Sequence, residues 1–474
     1  MIFTQCSMLN SHHSMPELTF PFTHCRFGAA SRDVTPPLGI YARSWGAAKH
    51  DVMDGVHRPF AATAALFKAL NEDVELALVA LDVGWFQELN DERELRAAIQ
   101  TRTGLDAPHL LINMSHTHAG PNMVSSASDK PGVEFVKPYL AQLANQISDA
   151  ILEARNKMQN AWVAYGYGKC SLAANRDFFD ADAQRWACGF NPEGHADDTV
   201  LVARVTNDDG KILATLVNYA CHPTTLAWDN HLLSPDFIGA TREILEREFG
   251  APALFLQGAS GDVAPREDYV GDAAVADKHG RQLGYAAASA LTALPPPAQK
   301  FVYTGIVSSG AELGTWEYQN ITNEQIARAE EMFAREFFVE LARRELPSAN
   351  ALQDMYARET NRPEQERILR RMYIQKALGE SNVHAMPMWF WRLGDAALIA
   401  APNEFYQSFQ ETLRAKFPDT PLFVLGVTNG TLGYLSPRET YGKGLYQEWQ
   451  SPYAAGCLEK AMEEAEKGVE ELFG

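Results

Sequence analysis

The chain has 474 residues, of which 46% are hydrophobic and 21% charged, a balance that is ordinary for a soluble globular enzyme. Its formal net charge of -19 argues against nucleic acid or an anionic membrane surface as the main partner. The six cysteines have no CxxC spacing, which excludes a thiolate zinc site or a disulfide framework and favours a reducing compartment.

The N-terminal stretch lacks a basic segment followed by a continuous apolar core, and no window approaches the roughly 18 apolar residues of a membrane span. We therefore expect neither a signal peptide nor a transmembrane segment, and we expect a cytoplasmic protein. Residues 1–25, with His12 and His13, are expected to form a flexible lead-in in which Met15 is an alternative start. Residues 26–474 are predicted to form one domain.

Apolar runs alternate with amphipathic stretches through most of the chain. In chain order they predict strand 26–35, strand 75–83, helix 91–102, strand 110–112, helix 139–158, strand 162–172, strand 212–219, helix 238–249, strand 253–257, strand 388–400, helix 406–416, strand 422–427 and an acidic C-terminal helix. The alternation of strands and helices is typical of an α/β fold. We predict a mixed β-sheet core flanked by helices.

Residues 323–378 have a different character from the rest of the chain. Long charged patterns with helical spacing cover residues 324–346 and 363–378, and strand signals are few. We predict a helical insertion or lid in this segment.

A pair of histidines follows the short apolar run Leu110–Ile112, in the sequence SHTHAGP at residues 115–121. Alternate residues of an extended chain point to the same side, so His116 and His118 are expected to face one way at the end of a strand. Two imidazoles on one face can serve as a platform for a metal ion or for acid–base chemistry. The alternative is two ordinary surface-loop histidines, and the pair alone does not decide between them.

Other polar residues also follow predicted strands. His222 repeats the arrangement of His116, a buried strand followed by a histidine and a turn. Arg176 is either a solvated charge or an anchor for an anion or a carbonyl group. Asp236 precedes a predicted helix and is a candidate cap. The glycines of residues 258–261 let the backbone pass close to a ligand or a metal site.

Six short stretches resemble, in order and approximate spacing, the catalytic N-terminal part of the neutral/alkaline (non-lysosomal) ceramidase family. They are residues 115–121 (SHTHAGP), 175–176 (NR), 218–224 (NYACHPT), 261–265 (GDVAP), 403–405 (NEF) and 433–434 (GY). Each is weak alone, but six in the same order are hard to produce by chance. The resemblance extends from about residue 26 to the C-terminus.

The resemblance implies a zinc-dependent amide hydrolase with one metal ion per chain. Carried over position by position, the metal ligands are His116, His222, Glu404 and Tyr434. His118 and Arg176 match residues that line the site and hold the reacting group, which makes them the catalytic candidates. Zinc held by imidazole and carboxylate ligands supplies an activated water molecule for attack on a carbonyl.

Two aspartates are candidates for residues that contact the predicted metal ligands and orient them. Asp236 and Asp262 could orient His222 and His116 through hydrogen bonds, with a helix cap or a turn as the alternative role. The chain also departs from the family at Ala264, where ceramidases have a serine that assists the carbonyl chemistry. We expect the missing serine to count against hydrolysis of ceramide, while the predicted zinc ligands are complete.

Three functions are compatible with these residues. The leading hypothesis is zinc-dependent cleavage of the amide bond of a small or amphiphilic N-acyl compound, as in sphingolipid metabolism. The second is hydrolysis of an ester or lactone, or deacetylation of a sugar, at the same site. The third is a non-catalytic binding protein, which Ala264 favours and the four predicted ligands argue against.

Overall fold

The computed structural model describes residues 16–127 and 129–474. The first strands are Glu17–Leu18 (β1), Phe22–Asp33 (β2), Gly55–Val56 (β3), Ala61–Lys68 (β4), Glu75–Leu81 (β5), Leu110–Met114 (β6), Gln159–Lys169 (β7), Ala173–Asn175 (β8), Asp177–Asp180 (β9), Arg185–Cys188 (β10), Thr199–Asn207 (β11) and Ile212–Tyr219 (β12). They are followed by Leu232–Leu233 (β13), Ala253–Gln257 (β14), Val263–Pro265 (β15), Gln299–Ser308 (β16), Glu312–Asn320 (β17), Met332–Ala342 (β18), Val383–Leu393 (β19), Ala396–Ala400 (β20), Glu404–Phe405 (β21), Leu422–Leu425 (β22) and Tyr434–Leu435 (β23).

The helices alternate with these strands. They are Leu89–Thr103 (α1), Val136–Asn156 (α2), Phe237–Phe249 (α3), Ala273–Thr292 (α4), Asn323–Ala329 (α5), Ala349–Arg358 (α6), Arg362–Leu378 (α7), Gln407–Lys416 (α8), Tyr446–Gln450 (α9) and Cys457–Phe473 (α10). None of the helices among the described residues is long and apolar enough to span a lipid bilayer.

Two mixed sheets form the centre of the fold. The larger has eight strands in the order β14-β12-β11-β7-β2-β4-β5-β6, and its outermost pairs, β12–β14 and β5–β6, are parallel. The smaller has the order β18-β19-β20-β22, with β20 and β22 parallel. The predicted mixed-sheet α/β fold is confirmed.

The two sheets pack face to face, with helices on their outer faces. Trp389, Trp391 and Leu398 of the smaller sheet share a buried core with Leu76 and Leu78 of the larger one. The alternate residues of β5 contribute instead to a second core with α1 and α2. Helices α1 and α2 cover one end of the outer face of the larger sheet, and α3 and α4 cover its other end. Helix α10 covers the smaller sheet. Because β5 is buried on both faces, its sequence is continuously apolar.

The parallel strands bring their carboxyl ends together. The Asn113 side chain accepts a hydrogen bond from the Gln257 backbone N–H (2.8 Å) and donates one to the Gly426 carbonyl (2.7 Å). The Gly426 N–H in turn donates to the Gln257 carbonyl (3.1 Å). These contacts tie together the ends of β6, β14 and β22, where α/β folds place their functional side chains.

The segment 323–378 is not wholly helical, and that part of the prediction is wrong. Helices α5, α6 and α7 are present, but residues 332–342 form β18, which pairs with β19 along its whole length. Val339 and Leu341 are buried and alternate with exposed neighbours, as in a strand with one solvated face. The long-range pairing with β19 outweighs the local helical pattern.

The predicted flexible lead-in is also wrong where the structure describes it. Strand β1 pairs with β16, and β2 begins at Phe22, four residues before the predicted start. Residues 1–15, including His12, His13 and the alternative start at Met15, lie outside the described residues.

Candidate metal centre and active site

His116 lies just beyond β6 in an unusual backbone conformation. Its φ is 66°, in the left-handed region that a non-glycine residue adopts only when its surroundings fix it. Its backbone N–H donates to the Val83 carbonyl (2.9 Å), and its Nδ1 donates to the Gly84 carbonyl (3.1 Å). A Cβ on Gly84 would lie 2.7 Å from the Thr117 carbonyl oxygen, so only glycine allows this close approach. The bond at Nδ1 leaves Nε2 without a proton and free to bind a cation.

His222 follows β12 and is fixed in a similar way. Its backbone N–H donates to the Val263 carbonyl (3.0 Å), and its Nδ1 donates to the Ser260 carbonyl (2.9 Å). The imidazole is fully buried. As in His116, the hydrogen bond at Nδ1 directs Nε2 into the site.

Glu404 and Tyr434 are brought together by the short parallel pair β21–β23, in which they are directly paired. Glu404 Oε2 lies 3.3 Å from the Nε2 atoms of both His116 and His222. The Tyr434 ring stacks on the His222 ring with a centroid distance of 6.4 Å. The structure therefore brings together all four side chains predicted as metal ligands.

His118 completes a group of three histidines. Its ring centroid lies 5.2 Å from that of His116 and 5.5 Å from that of His222. One ligand atom from each of the three imidazoles lies within 4.8 Å of the other two. Trp85 and Trp45 flank the His118 ring at 4.8 and 5.1 Å between ring centroids. By geometry, His118 is thus a further candidate to hold a metal ion.

Arg176 is buried beside this group, so it is not a solvated charge. Its Nε and Nη2 both donate to the Gly261 carbonyl (3.2 and 2.8 Å). Nη2 also donates to the Tyr434 hydroxyl (3.1 Å). The guanidinium therefore fixes the position of the phenol oxygen. We call His116, His118, Arg176, His222, Glu404 and Tyr434 the histidine centre.

The histidine centre fits a divalent cation. Five buried atoms of the site are shielded from solvent and have no hydrogen-bond partner among the described residues: Nε2 of His116 and of His222, both ring nitrogens of His118, and Oε2 of Glu404. Each buried polar group without a hydrogen-bond partner lowers the stability of a protein by about 1–3 kcal/mol, so five such atoms at one place need an explanation. Imidazole and carboxylate ligands are those that Zn²⁺ prefers, and a bound ion would satisfy these atoms.

The protonation states of the buried groups favour cation binding. Burial lowers the pKa of His222 to about 3, and the nearby Arg176 charge adds to this effect. Burial also lowers the pKa of His118 well below its ordinary value. Burial alone would raise the pKa of Glu404, but His116 and His222 hold it well below its usual range. Neutral imidazoles and an ionised carboxylate are the forms that bind a metal ion.

Residues 26–278 match the family described as neutral/alkaline non-lysosomal ceramidase, N-terminal. The chain belongs to this family. The match contains His116, His118, Arg176 and His222, whereas Glu404 and Tyr434 lie beyond it. The predicted family membership is confirmed.

Two curated ceramidases are similar to parts of the chain. Neutral ceramidase B of Dictyostelium discoideum is 26% identical over 169 residues, which cover 33% of this chain and 24% of that protein. Neutral ceramidase of Pseudomonas aeruginosa is 22% identical over 248 residues, covering 51% and 37% respectively. The chain therefore matches between about a quarter and somewhat more than a third of the length of these relatives.

Solved ceramidase structures share the fold. The crystal structure of neutral ceramidase from Pseudomonas aeruginosa matches with a TM-score of 0.65 and 17% identity, over 94% of this chain and 73% of that one. A structure of a ceramidase complexed with C2 matches with a TM-score of 0.66 and 17% identity, over 94% and 74%.

The two aspartates predicted to orient the histidines of this ceramidase-family site have other partners. Asp236 accepts hydrogen bonds from the backbone N–H groups of Leu226 (2.9 Å) and Phe237 (2.7 Å), and so caps α3. Asp262 accepts from the backbone N–H and the side-chain amide of Gln407 (2.8 and 2.9 Å) at the start of α8. The predicted orienting role is wrong, because backbone carbonyls occupy both Nδ1 positions.

Two cavities open beside the histidine centre and contain about 560 and 910 Å³ of free space, part of which is open to solvent. The smaller has Trp85, Phe86 and Ile374 on its apolar side. Trp45 and Trp228 line the larger one. His118 and Tyr434 border both, so the histidine centre lies where the cavities meet.

Helix α7 supplies a wall of both cavities, which we call the α7 wall. Arg370 faces both cavities, Ile374 the smaller one and Glu366 the larger one. Helix α7 lies in the predicted insertion 323–378, and none of its residues is among the site residues predicted from the sequence. Its only signal is a charged helical pattern, which does not show which side chains point inward.

Proposed function

We propose that the protein is a zinc-dependent hydrolase that cleaves the amide bond of an N-acyl compound, a small or amphiphilic molecule of the ceramide kind. The observation that supports this most is the convergence of three imidazoles and Glu404, with unpartnered buried atoms, where two cavities meet. The protein is a member of a ceramidase family, and its named relatives are neutral ceramidases. Amide hydrolysis is therefore favoured over the ester and sugar alternatives.

In this proposal His116, His222, Glu404 and Tyr434 hold one zinc ion. The ion supplies a Lewis acid and activates water at neutral pH. Glu404 offsets part of the positive charge. In the protein alone, burial and Glu404 raise the pKa of Tyr434 well above its ordinary value. The hydrogen bond from Arg176 holds the hydroxyl oxygen in place for the ion.

In this proposal His118 holds the reacting group of the substrate. Its low pKa keeps the imidazole neutral, and a neutral imidazole still carries one N–H. Neither of its ring nitrogens has a hydrogen-bond partner within residues 16–127 and 129–474. His118 can therefore donate a hydrogen bond to the carbonyl oxygen as negative charge develops on it, and this stabilises the transition state. Arg176 adds a fixed positive charge nearby.

The apolar walls exclude water and hold the acyl chain. Trp85 and Trp45 both contact the His118 ring, so apolar surface lies next to the reacting group. A low-dielectric site strengthens the interaction of His118 and Arg176 with the developing charge. The smaller cavity, with Phe86 and Ile374, suits an alkyl chain.

The decisive experiment combines metal analysis with a product assay. Purified protein is expected to contain about one zinc per chain and to release a free amine from N-acyl substrates such as N-acylsphingosines of different acyl lengths. Release of only an acid and an alcohol from ester substrates would favour the esterase alternative. Absence of zinc after reconstitution, together with absence of hydrolysis, would favour a binding protein.

A further inference from the structure

Arg370 is a charged residue in the cavities that the proposed mechanism does not use. Its Nη1 donates to the Tyr446 hydroxyl (3.1 Å) and its Nη2 to the Ser44 backbone carbonyl (2.7 Å). Its guanidinium carbon lies 5.5 Å from the centroid of the Trp85 ring. Its Nε is shielded from solvent and has no hydrogen-bond partner in the part of the chain that the structure describes.

The positive charge of Arg370 is not neutralised by an ion pair. In the described part of the chain no carboxylate oxygen lies within 4.0 Å of its nitrogens, whereas Arg43 and Arg362 both pair with Asp51. Glu366, one turn earlier on α7, is directed towards Arg43, with 3.8 Å from its Oε1 to Nε of Arg43. The guanidinium is only partly exposed, because its Nε is shielded while the residue borders both cavities. A positive charge in such a position is normally paired, so an additional anion is expected.

The position of Arg370 indicates where that anion binds. Arg370 and His118 both border the two cavities, so the guanidinium lies beside the space where the scissile bond must sit. Its present partners are a hydroxyl and a carbonyl, and these occupy only two of its five N–H donors. The remaining donors suit a planar carboxylate.

We propose that Arg370 binds a carboxylate of the substrate, so that the substrate class is an N-acyl amino acid or a related N-acyl compound with an anionic group close to the amide. This inference rests on the proposed function and narrows it. The acyl chain then lies in the apolar smaller cavity and the amine half, with its carboxylate, faces Arg370 and the larger cavity. One guanidinium balances one negative charge, which favours a carboxylate over a doubly charged phosphate.

The test compares N-dodecanoylglycine with N-dodecanoylglycinamide, which has nearly the same shape but no charge. We expect kcat/KM for amine release to favour the glycine compound by about tenfold or more, the usual scale of a charge-assisted hydrogen bond. Arg370→Gln should bring the two substrates to within about twofold of each other, and Arg370→Lys should retain part of the preference. Calorimetric binding of both compounds to zinc-free protein gives a readout that does not depend on turnover.

Arg371→Gln is the matched control, because it removes the same charge from the adjacent position of α7. Arg371 lies 4.1 Å from the Trp449 ring centroid and lines neither cavity, so its variant should keep the wild-type preference. Thermal unfolding checks that both variants are folded. An equal loss on both substrates in Arg370→Gln would contradict the inference, because it would indicate a purely structural role.

The outcomes separate this inference from the proposed function. Equal hydrolysis of both compounds by the wild type overturns the inference and leaves the function intact. Binding of the glycine compound that depends on Arg370, without cleavage of any amide, overturns the function and supports the inference. Absence of both binding and cleavage overturns both. A third compound, N-dodecanoylaminomethylphosphonate, carries a phosphonate in place of the carboxylate. Preference for it over N-dodecanoylglycine overturns the assignment to a carboxylate.

Discussion

The histidine centre and the α7 wall face the same cavities but are held in place by different forces. His116 and His222 are fixed by hydrogen bonds from their backbone N–H groups and their Nδ1 atoms to backbone carbonyls. The α7 wall is held largely by side chains, among them the Arg362–Asp51 ion pair and Arg371 over the Trp449 ring.

This difference suggests a division of roles. Backbone contacts at strand ends hold side chains rigidly, as metal ligation requires. Ion pairs at the surface contribute little stability, about 0–1 kcal/mol each, so a helix held by them tolerates substitution. We therefore expect changes in the histidine centre to abolish metal binding and chemistry, and changes in the α7 wall to alter substrate choice while the metal remains bound.

The largest effect is expected for His222→Ala. The variant removes a fully buried imidazole whose Nε2 points to the common centre, so zinc retention and hydrolysis should both be abolished. Metal analysis after dialysis, with circular dichroism as a check on folding, measures this. A variant that retains zinc would remove His222 from the ligand set.

Tyr434→Phe should have a smaller effect in the same region. It removes only the hydroxyl that accepts from Arg176, while the ring that stacks on His222 remains. We expect zinc affinity and activity to fall by about 10–100-fold without unfolding, a range typical of groups that tune a metal site. Zinc titration and thermal unfolding provide the measurements. Full activity of the variant would refute the role of Tyr434 as a ligand.

A third prediction tests the backbone support of His116. A Cβ at Gly84 would approach the Thr117 carbonyl to 2.7 Å, so Gly84→Ala should shift the loop that carries His116. We expect a loss of about 1–3 kcal/mol in the free energy of unfolding and weaker zinc binding. Gly189→Ala is the control, because a Cβ there meets nothing within 4 Å. Equal behaviour of the two variants in chemical denaturation would show that the loop accommodates the side chain.

Ile374→Phe tests the α7 wall. The larger side chain takes up space in the smaller cavity and replaces none of the predicted ligands, so zinc content should be unchanged. Long acyl chains should lose more activity than short ones, by about fourfold for each methylene kept out of the cavity, from about 0.8 kcal/mol per buried methylene. A series of acyl lengths measures this. Loss of zinc, or a uniform loss over all lengths, would show that the two regions are not separable.

Elements that are specified by their own local sequence were predicted correctly, and elements that depend on distant parts of the chain were not. Strands β12 and β14 have the predicted limits, because parallel strands buried on both faces are short, continuous apolar runs. Strand β18 was missed because Arg335, Glu336 and Glu340 give its sequence an apparently helical charge pattern, and only the distant strand β19 specifies its pairing.

The candidate site was predictable to a similar degree. His116 and His222 stand out locally, as histidines directly after apolar strands. The pairing of Glu404 with Tyr434 joins residues thirty positions apart, so it could be expected only from the family resemblance. Arg370 is one of several arginines on α7. Its inward orientation depends on how that helix packs, which no local pattern specifies.

The smallest effect is expected at Ala264, the position where the family has serine. Ala264 is 2% exposed, pairs with Ala174 in the short ladder between β15 and β8, and lines neither cavity. A hydroxyl added there would meet protein rather than substrate, which argues against the effect on ceramide that the sequence alone leads us to expect. We therefore expect Ala264→Ser to change kcat/KM on ceramide and on N-acyl amino acids by no more than about twofold, as is usual for a substitution outside the reacting region. A selective rise on ceramide would place part of the substrate preference in the β15 segment rather than in the α7 wall.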